Sequence, residues 1–174
     1  MRSNRPYKSR YAAMFWSVVL PGFGQFYNRD YFIGIMLLML EFIINLKSHL
    51  NLVLVNTFNG DLQLAHQSVN YSWGLFYPSI YGFAIWQAFN SAKANNNKLE
   101  GKGVEKRTYL SGFFLGLVVG MDFGLFWHDS NLIKIIHLLD YPVFNGVLFG
   151  LILGLIGNLL EQKIYRKHKR KTKQ

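Results

Sequence analysis

The chain has 174 residues, of which 51% are hydrophobic, 17% aromatic and only 16% charged. A soluble domain carries about 25% charged residues, so this chain is short of the groups that cover a water-facing surface, and a multi-span membrane protein is favoured. It has no cysteine and a formal net charge of +10, which excludes a disulfide framework or thiolate zinc site and, in a membrane chain, fits basic cytoplasmic loops better than a nucleic-acid partner.

Residues 1–10 are polar and basic, with Arg2, Arg5, Lys8 and Arg10. They resemble the charged start of a signal peptide, but no small-x-small cleavage site follows. Residues 11–20 are apolar and too few to cross: a ten-residue helix reaches about 15 Å, half of a roughly 30 Å hydrocarbon core. Pro21, Gly22 and Gly24 then interrupt the run, with Gln25 and Tyr27 behind them. Proline removes a backbone donor and glycine permits unusual dihedrals. Residues 11–30 are therefore either a re-entrant or interfacial segment or one kinked span.

Residues 31–46 form the first convincing span. Residues 47–70 are mixed and polar, with a short β-like run at Leu52–Val55, and are expected as an external loop. Spans follow at 71–90, 109–127 and 141–160, with Trp and Tyr along and at the ends of them. A polar linker occupies 91–107, a short loop 128–140 and a basic tail 161–174.

Charge arbitrates the fate of residues 11–27. If they do not cross, the N-terminus, the linker and the tail share the cytoplasmic side. Of the 19 Lys and Arg, only Lys47 and Lys134 then lie outside. If they cross, either the N-terminal cations or the linker and tail are exported, against the positive-inside rule. A further crossing hidden in 47–70 would restore parity. The expectation is an all-α integral membrane helical bundle: one membrane domain over 1–174, four spans plus the N-terminal segment, both termini cytoplasmic, in a bacterial cytoplasmic membrane.

Two glycine stripes stand out, Gly112, Gly116, Gly120 and Gly124 in the third span and Gly146, Gly150 and Gly154 in the fourth. Small residues four apart let helix backbones approach closely in lipid. Mutual packing of the two spans is the plainer reading of this glycine zipper, and a homo-oligomeric seam the other.

Intramembrane polar groups are few. Glu41 falls near the middle of the first span, on one face with Gly34 and Asn45, and Asp122 lies in the outer part of the third. Ionisable residues in spans are costly and are functional or paired. One reading makes Glu41 and Asp122 a cation or proton path; the plainer one has them protonated, hydrogen-bonded or reaching water at an edge. Gln87, Asn90 and Asn158 are further candidates for an interior face. His128, Asp129, His137 and Asp140 belong to the 128–140 loop, too sparse to imply a metal. No nucleophile elbow, phosphate loop or His-Glu-x-x-His is present. We expect no enzyme and no cofactor. The partners expected are the bilayer, anionic lipid head groups at the basic tail, and another membrane protein or a second copy, with no nucleic acid.

The run Leu20-Pro21-Gly22-Phe23-Gly24-Gln25-Phe26-Tyr27-Asn28, with Gly34 beyond it, resembles the Pro-Gly-x-Gly-Gln-x-Tyr start of a class of small bacterial multi-pass membrane proteins of unassigned function. It is similar to the run that opens some maltose-type ABC sugar permeases of Gram-positive bacteria, and distantly to a two-helix domain with a Gly-rich Phe-Tyr-x-Gly hairpin. The resemblance covers about residues 11–46 and implies a membrane hairpin. It does not extend to sugar transport, because the chain lacks both the Glu-Ala-Ala loop that docks an ATPase and enough spans. Asn28-Arg29-Asp30 also stands where such proteins often have Asn-Gly-Gln, which loosens the turn.

Overall fold

A computed structural model describes residues 7–102, 108–127 and 142–171. Every regular element among them is helical: α1 (Arg10–Val19), α2 (Phe23–Asn28), α3 (Tyr31–Ser48), α4 (Leu50–Phe58), α5 (Leu62–Ser68), α6 (Tyr71–Gly74), α7 (Phe76–Leu99), α8 (Ser111–Trp127) and α9 (Pro142–Lys171). Two compact units are formed, Met1–Ile44 with Ser79–Tyr109, and Asn45–Pro78 with Leu110–Gln174.

In the first unit, Ser9 caps α1, its Oγ accepting from Ala12 N at 3.3 Å, which satisfies one of the free amides of a helix start. Leu20 ends the helix in an extended conformation (φ −158°, ψ 128°), as a residue before proline must. Gly22 takes φ 105°, open to glycine alone at little cost. The chain then doubles back. Phe23 meets Trp16 with ring centroids 6.4 Å apart, and the Tyr27 hydroxyl accepts from Ser9 N at 3.2 Å. Residues 11–28 are thus a closed helical hairpin, not one kinked rod.

Arg29 closes α2 in the left-handed region (φ 67°), where a side chain is strained and glycine is not. Arg29→Gly is expected to raise stability by about 0.5–1 kcal/mol. A lowered midpoint in thermal unfolding would contradict this.

Along α3, Gly34, Leu37, Glu41, Ile44 and Ser48 are buried, at the three- and four-residue spacing of one helix stripe. Phe32, Met39, Phe42 and Leu46 are among its exposed residues.

In the second unit, α4 and α5 occupy the stretch expected as a loop with a β-like run. Leu52–Val55 is helical because Val53, Asn56 and Thr57 are buried together and Thr57 Oγ1 donates to Val53 O at 2.7 Å. Packing overrides the β-propensity of two valines. The turn between them uses Gly60 at φ 83°, and Asn56 Nδ2 donates across to Ser68 Oγ at 3.3 Å.

Helices α8 and α9 run antiparallel, backbone against backbone. A Cβ on Gly116 would lie 2.1 Å from Leu153 O, one on Gly120 2.3 Å from Phe149 O, and one on Gly112 2.3 Å from Gly157 O. The two stripes therefore face each other within one chain, and Gly157 extends the second. Glu161 Oε2 accepts from Gly112 N at 2.7 Å, a carboxylate on a free amide at the start of α8.

Among the described residues, two helices, not four, are long and apolar enough to cross a membrane: Tyr31–Ser48 and Phe144–His168. The expected span at 71–90 is broken between α6 and α7, and the sequence of α7 carries Lys93, Lys98 and several asparagines. Helix α8 is apolar only over Ser111–Leu125. The linker at 91–107 is also corrected, since α7 continues to Leu99. It stops where Gly101 turns left-handed (φ 70°) and Lys102 N donates back to Asn97 O at 3.0 Å, a glycine helix end. The basic tail is helical too, to Lys171.

Candidate functional site

The Pro21–Asn28 motif is built into one seam with α7. Pro21 is among the most completely buried side chains. Gly22 presses on α3, since a Cβ there would lie 2.5 Å from Gly34 O. Gly24 is the point of closest approach. A Cβ on it would fall 2.2 Å from Ala13 O, 2.1 Å from Ser17 Oγ and 2.8 Å from Ala88 Cβ, so α1, α2 and α7 converge on a position that admits only hydrogen.

That convergence brings Gln25 to full burial. Its Nε2 donates to Ala84 O at 2.7 Å and to Gln87 Oε1 at 2.8 Å, and its Oε1 accepts from Ser17 Oγ at 3.4 Å. Gln87 Nε2 donates onward to Asp30 Oδ2 at 3.4 Å, and the Ser91 hydroxyl donates to the same carboxylate oxygen. Asn28 Nδ2 donates to Ala88 O at 2.7 Å. Two amides of the motif thus dock on carbonyls one turn apart along α7, and Asp30 closes the row. Buried polar groups are expensive unless bonded, which is why such a row specifies one register of the hairpin on α7.

Tyr27 stands at the open end of the hairpin. It packs against the buried cluster of Ala13, Ala88 and Ala92, and Lys8 Nζ lies 4.4 Å from its ring centroid. Asn96 holds the incoming chain with both ends of its amide, accepting from Lys8 N at 3.0 Å and donating to Lys8 O at 2.6 Å. Asn90 does the same for the departing chain, accepting from Tyr109 N at 2.8 Å and donating to Tyr109 O at 3.0 Å.

All five motif residues therefore belong to one site. Gln87, half-buried, joins it through Gln25, and Asn90, half-buried on the same helix, holds the Tyr109 backbone. Ser17, Asp30, Ser91 and Asn96 were not anticipated. One available signal was the spacing of Ala84, Ala88 and Ala92, a four-residue stripe of small side chains on α7.

The two acids expected within the spans, Glu41 and Asp122, do not belong to this row. Glu41 is buried in the first unit, at 5% exposure. Asp122 belongs to the second unit, where its Oδ1 is buried without a hydrogen-bond partner among the described residues. In the glycine seam, Asn145 is fully buried and its Nδ2 donates to Gly124 O at 2.7 Å. Asn158 is half-buried on α9. His128, Asp129, His137 and Asp140 lie outside the described residues. Among those described, no three His, Cys, Asp or Glu side chains gather as a metal set. The row at the motif consists of amides, hydroxyls and one carboxylate, which is a lock rather than an acid–base pair.

Comparison with known protein families, with characterised proteins and with solved structures finds no match.

Proposed function

We propose that the chain is a non-enzymatic multi-pass protein of a bacterial cytoplasmic membrane, an accessory or scaffold component that presents a rigid helical surface to another membrane protein or to a second copy. One observation carries the membrane reading. Helices α3 and α9 are apolar over a full bilayer thickness, yet only 28% and 22% of their apolar stretches are buried. The core helix of a soluble protein would be mostly buried. Apolar faces of this extent left open in water are not tolerated by a soluble monomer, whereas lipid is their natural solvent.

On this reading α3 and α9 cross as full-length spans, α7 and α8 cross by their shorter apolar stretches, and the α1–α2 hairpin does not. The hairpin returns Tyr27 to the level of Ser9, which keeps Arg29 with the N-terminal cations, as the charge distribution requires. Helices α4 and α5 lie outside. The tight interior seams of both units support a scaffold, because they spend their polar groups on holding helices together.

The natural absence of cysteine makes topology testable with single substitutions at exposed positions. In intact cells, Gln63→Cys is expected to react with an impermeant maleimide, while Arg29→Cys and Lys98→Cys react only in inverted vesicles. Labelling of Arg29→Cys from outside would remove the non-crossing hairpin and the four-span count with it.

A second reading, a small ion-coupled carrier, is favoured only by the burial of Glu41 within an apolar helix and by the unpartnered Asp122 oxygen. Flux into proteoliposomes decides between the two. Loss of uptake in Glu41→Gln or Asp122→Asn would support the carrier, and absence of any flux the scaffold.

A further inference from the structure

A cavity of ≈320 Å³ opens in the first unit where the start of α1 meets the last turns of α7, lined by Arg10, Tyr11, Lys93, Asn96, Asn97 and Glu100 among others. Its size is at the lower end of small-ligand sites, which run from about 300 to 1,000 Å³. Its charge is lopsided. Glu100, the acidic residue of the lining, pairs with Lys102 at 2.6 Å. Arg10 has no carboxylate partner among the described residues. Its guanidinium lies 5.0 Å from the Tyr11 ring centroid and 5.5 Å from that of Phe89. Lys93 Nζ lies over the Tyr109 ring. An aromatic face orients a cation without cancelling its charge. Two half-buried cations thus line one small polar cavity, an arrangement whose complement is a doubly hydrogen-bonding anion such as a phosphate.

The surroundings choose among phosphates. Five residues beyond Arg10, about 7.5 Å along α1, an exposed apolar surface begins with Phe15 and Trp16 and continues through Val18 and Val19. Tyr7 and Tyr11, both exposed, stand at the polar end of that surface, where amphipathic aromatics mark the membrane interface. A phosphate in the cavity would therefore have apolar protein surface running away from it. A soluble phosphate has no use for that surface, whereas a phospholipid would lay its acyl chains along it. We propose that this cavity is a head-group site for an anionic phospholipid, with Arg10 and Lys93 holding the phosphate and α1 carrying the chains. The site is distinct from the basic C-terminal end of α9. The proposal rests on the membrane reading above.

The test is native mass spectrometry of the full chain released from detergent, titrated with phosphatidylglycerol or with phosphatidylcholine. The wild type is expected to retain one phosphatidylglycerol selectively. R10Q/K93Q is expected to bind it about thirtyfold more weakly, from the loss of two interfacial charges. R10K/K93R and the tail variant K163Q/R166Q should keep the selectivity. Millimolar glycerol 3-phosphate should not displace the lipid from wild type. Unchanged selectivity in R10Q/K93Q, or its loss in the tail variant alone, overturns the proposal. Displacement by glycerol 3-phosphate also overturns it, by assigning the cavity to a soluble phosphate. If R10Q/K93Q does not fold, the wild-type competition and the single variants R10Q and K93Q, each expected to weaken binding, decide. Membrane fractionation separates the two readings. A chain recovered in the soluble fraction ends the membrane reading, and a membrane-bound chain with no lipid preference ends this proposal alone.

Discussion

Gly24→Ala will open the N-terminal hairpin and release it from α7. The added methyl would sit 2.2 Å from Ala13 O and 2.8 Å from Ala88 Cβ, far inside contact distance, and the first of these is backbone that cannot rotate away. Ser17 Oγ, at 2.1 Å, could turn aside, but only by giving up its bond to Gln25. Relief requires α1 and α7 to part from α2. The amide row then fails with them, because Gln25 and Asn28 reach Ala84 O and Ala88 O only at this separation. We expect a loss of about 3 kcal/mol, at the upper end of what overpacking costs. The companion Gln25→Ala should lose about 2–4 kcal/mol, from two donated bonds and the void left by a fully buried side chain. Gly60→Ala is the control. Its φ is positive, unlike that of Gly24, but nothing lies within 4 Å of its Cβ, so its loss should be only about 1 kcal/mol. Thermal unfolding in detergent, followed by tryptophan fluorescence, reads all three. If Gly24→Ala melts no lower than Gly60→Ala, the seam does not exist as described.

Gly116→Ala will destabilise the α8–α9 pair far more than Gly146→Ala, although both belong to glycine stripes. On α8, the Cβ of Gly116 would lie 2.1 Å from Leu153 O and 3.0 Å from Gly154 N. These are backbone atoms, so the helices must separate along their length. On α9, the nearest neighbours of Gly146 stand at 3.3 Å: Leu125 Cγ, a side chain that yields, and Met121 O, backbone that needs to give by only a few tenths of an ångström. Gly150 is intermediate, with the flexible Met121 Cγ at 2.5 Å and Leu117 O at 3.1 Å. The expected losses are about 3 kcal/mol at Gly116, about 1 kcal/mol at Gly150 and less at Gly146. Equal losses at the three positions would show that these glycines do not lock one helix of the chain against the other. Wild-type melting of Gly116→Ala, combined with loss of a dimer in cross-linking, would instead assign the stripes to a seam between copies.

The difference between what was legible and what was not follows the range of the forces involved. Composition and the blocks of apolar residues pointed to the helices α3 and α9, because length and hydropathy are local properties. Glycine spacing pointed to two close-packing helices for the same reason. The Pro21–Asn28 run was legible as a reversal, since proline and positive-φ glycine act on their own backbone.

Long-range bonds escaped the reading. The stretch 91–99 looked like a linker because asparagine is a weak helix former. It is helical because Ala92 and Asn96 are buried against their own unit and Asn96 binds the backbone of Lys8, 88 residues away. Leu52–Val55 looked extended because valine favours strands, and it became helical once Val53 and Thr57 were packed together. The role of Gln25 was likewise out of reach: nothing local to the motif reveals that its amide ends on Ala84 and Gln87. The sequence by itself determined where the chain turns and which two helices are long and apolar enough to cross a membrane. Only the tertiary structure decided what the turn is for, because a buried amide is tolerated only where distant carbonyls meet it.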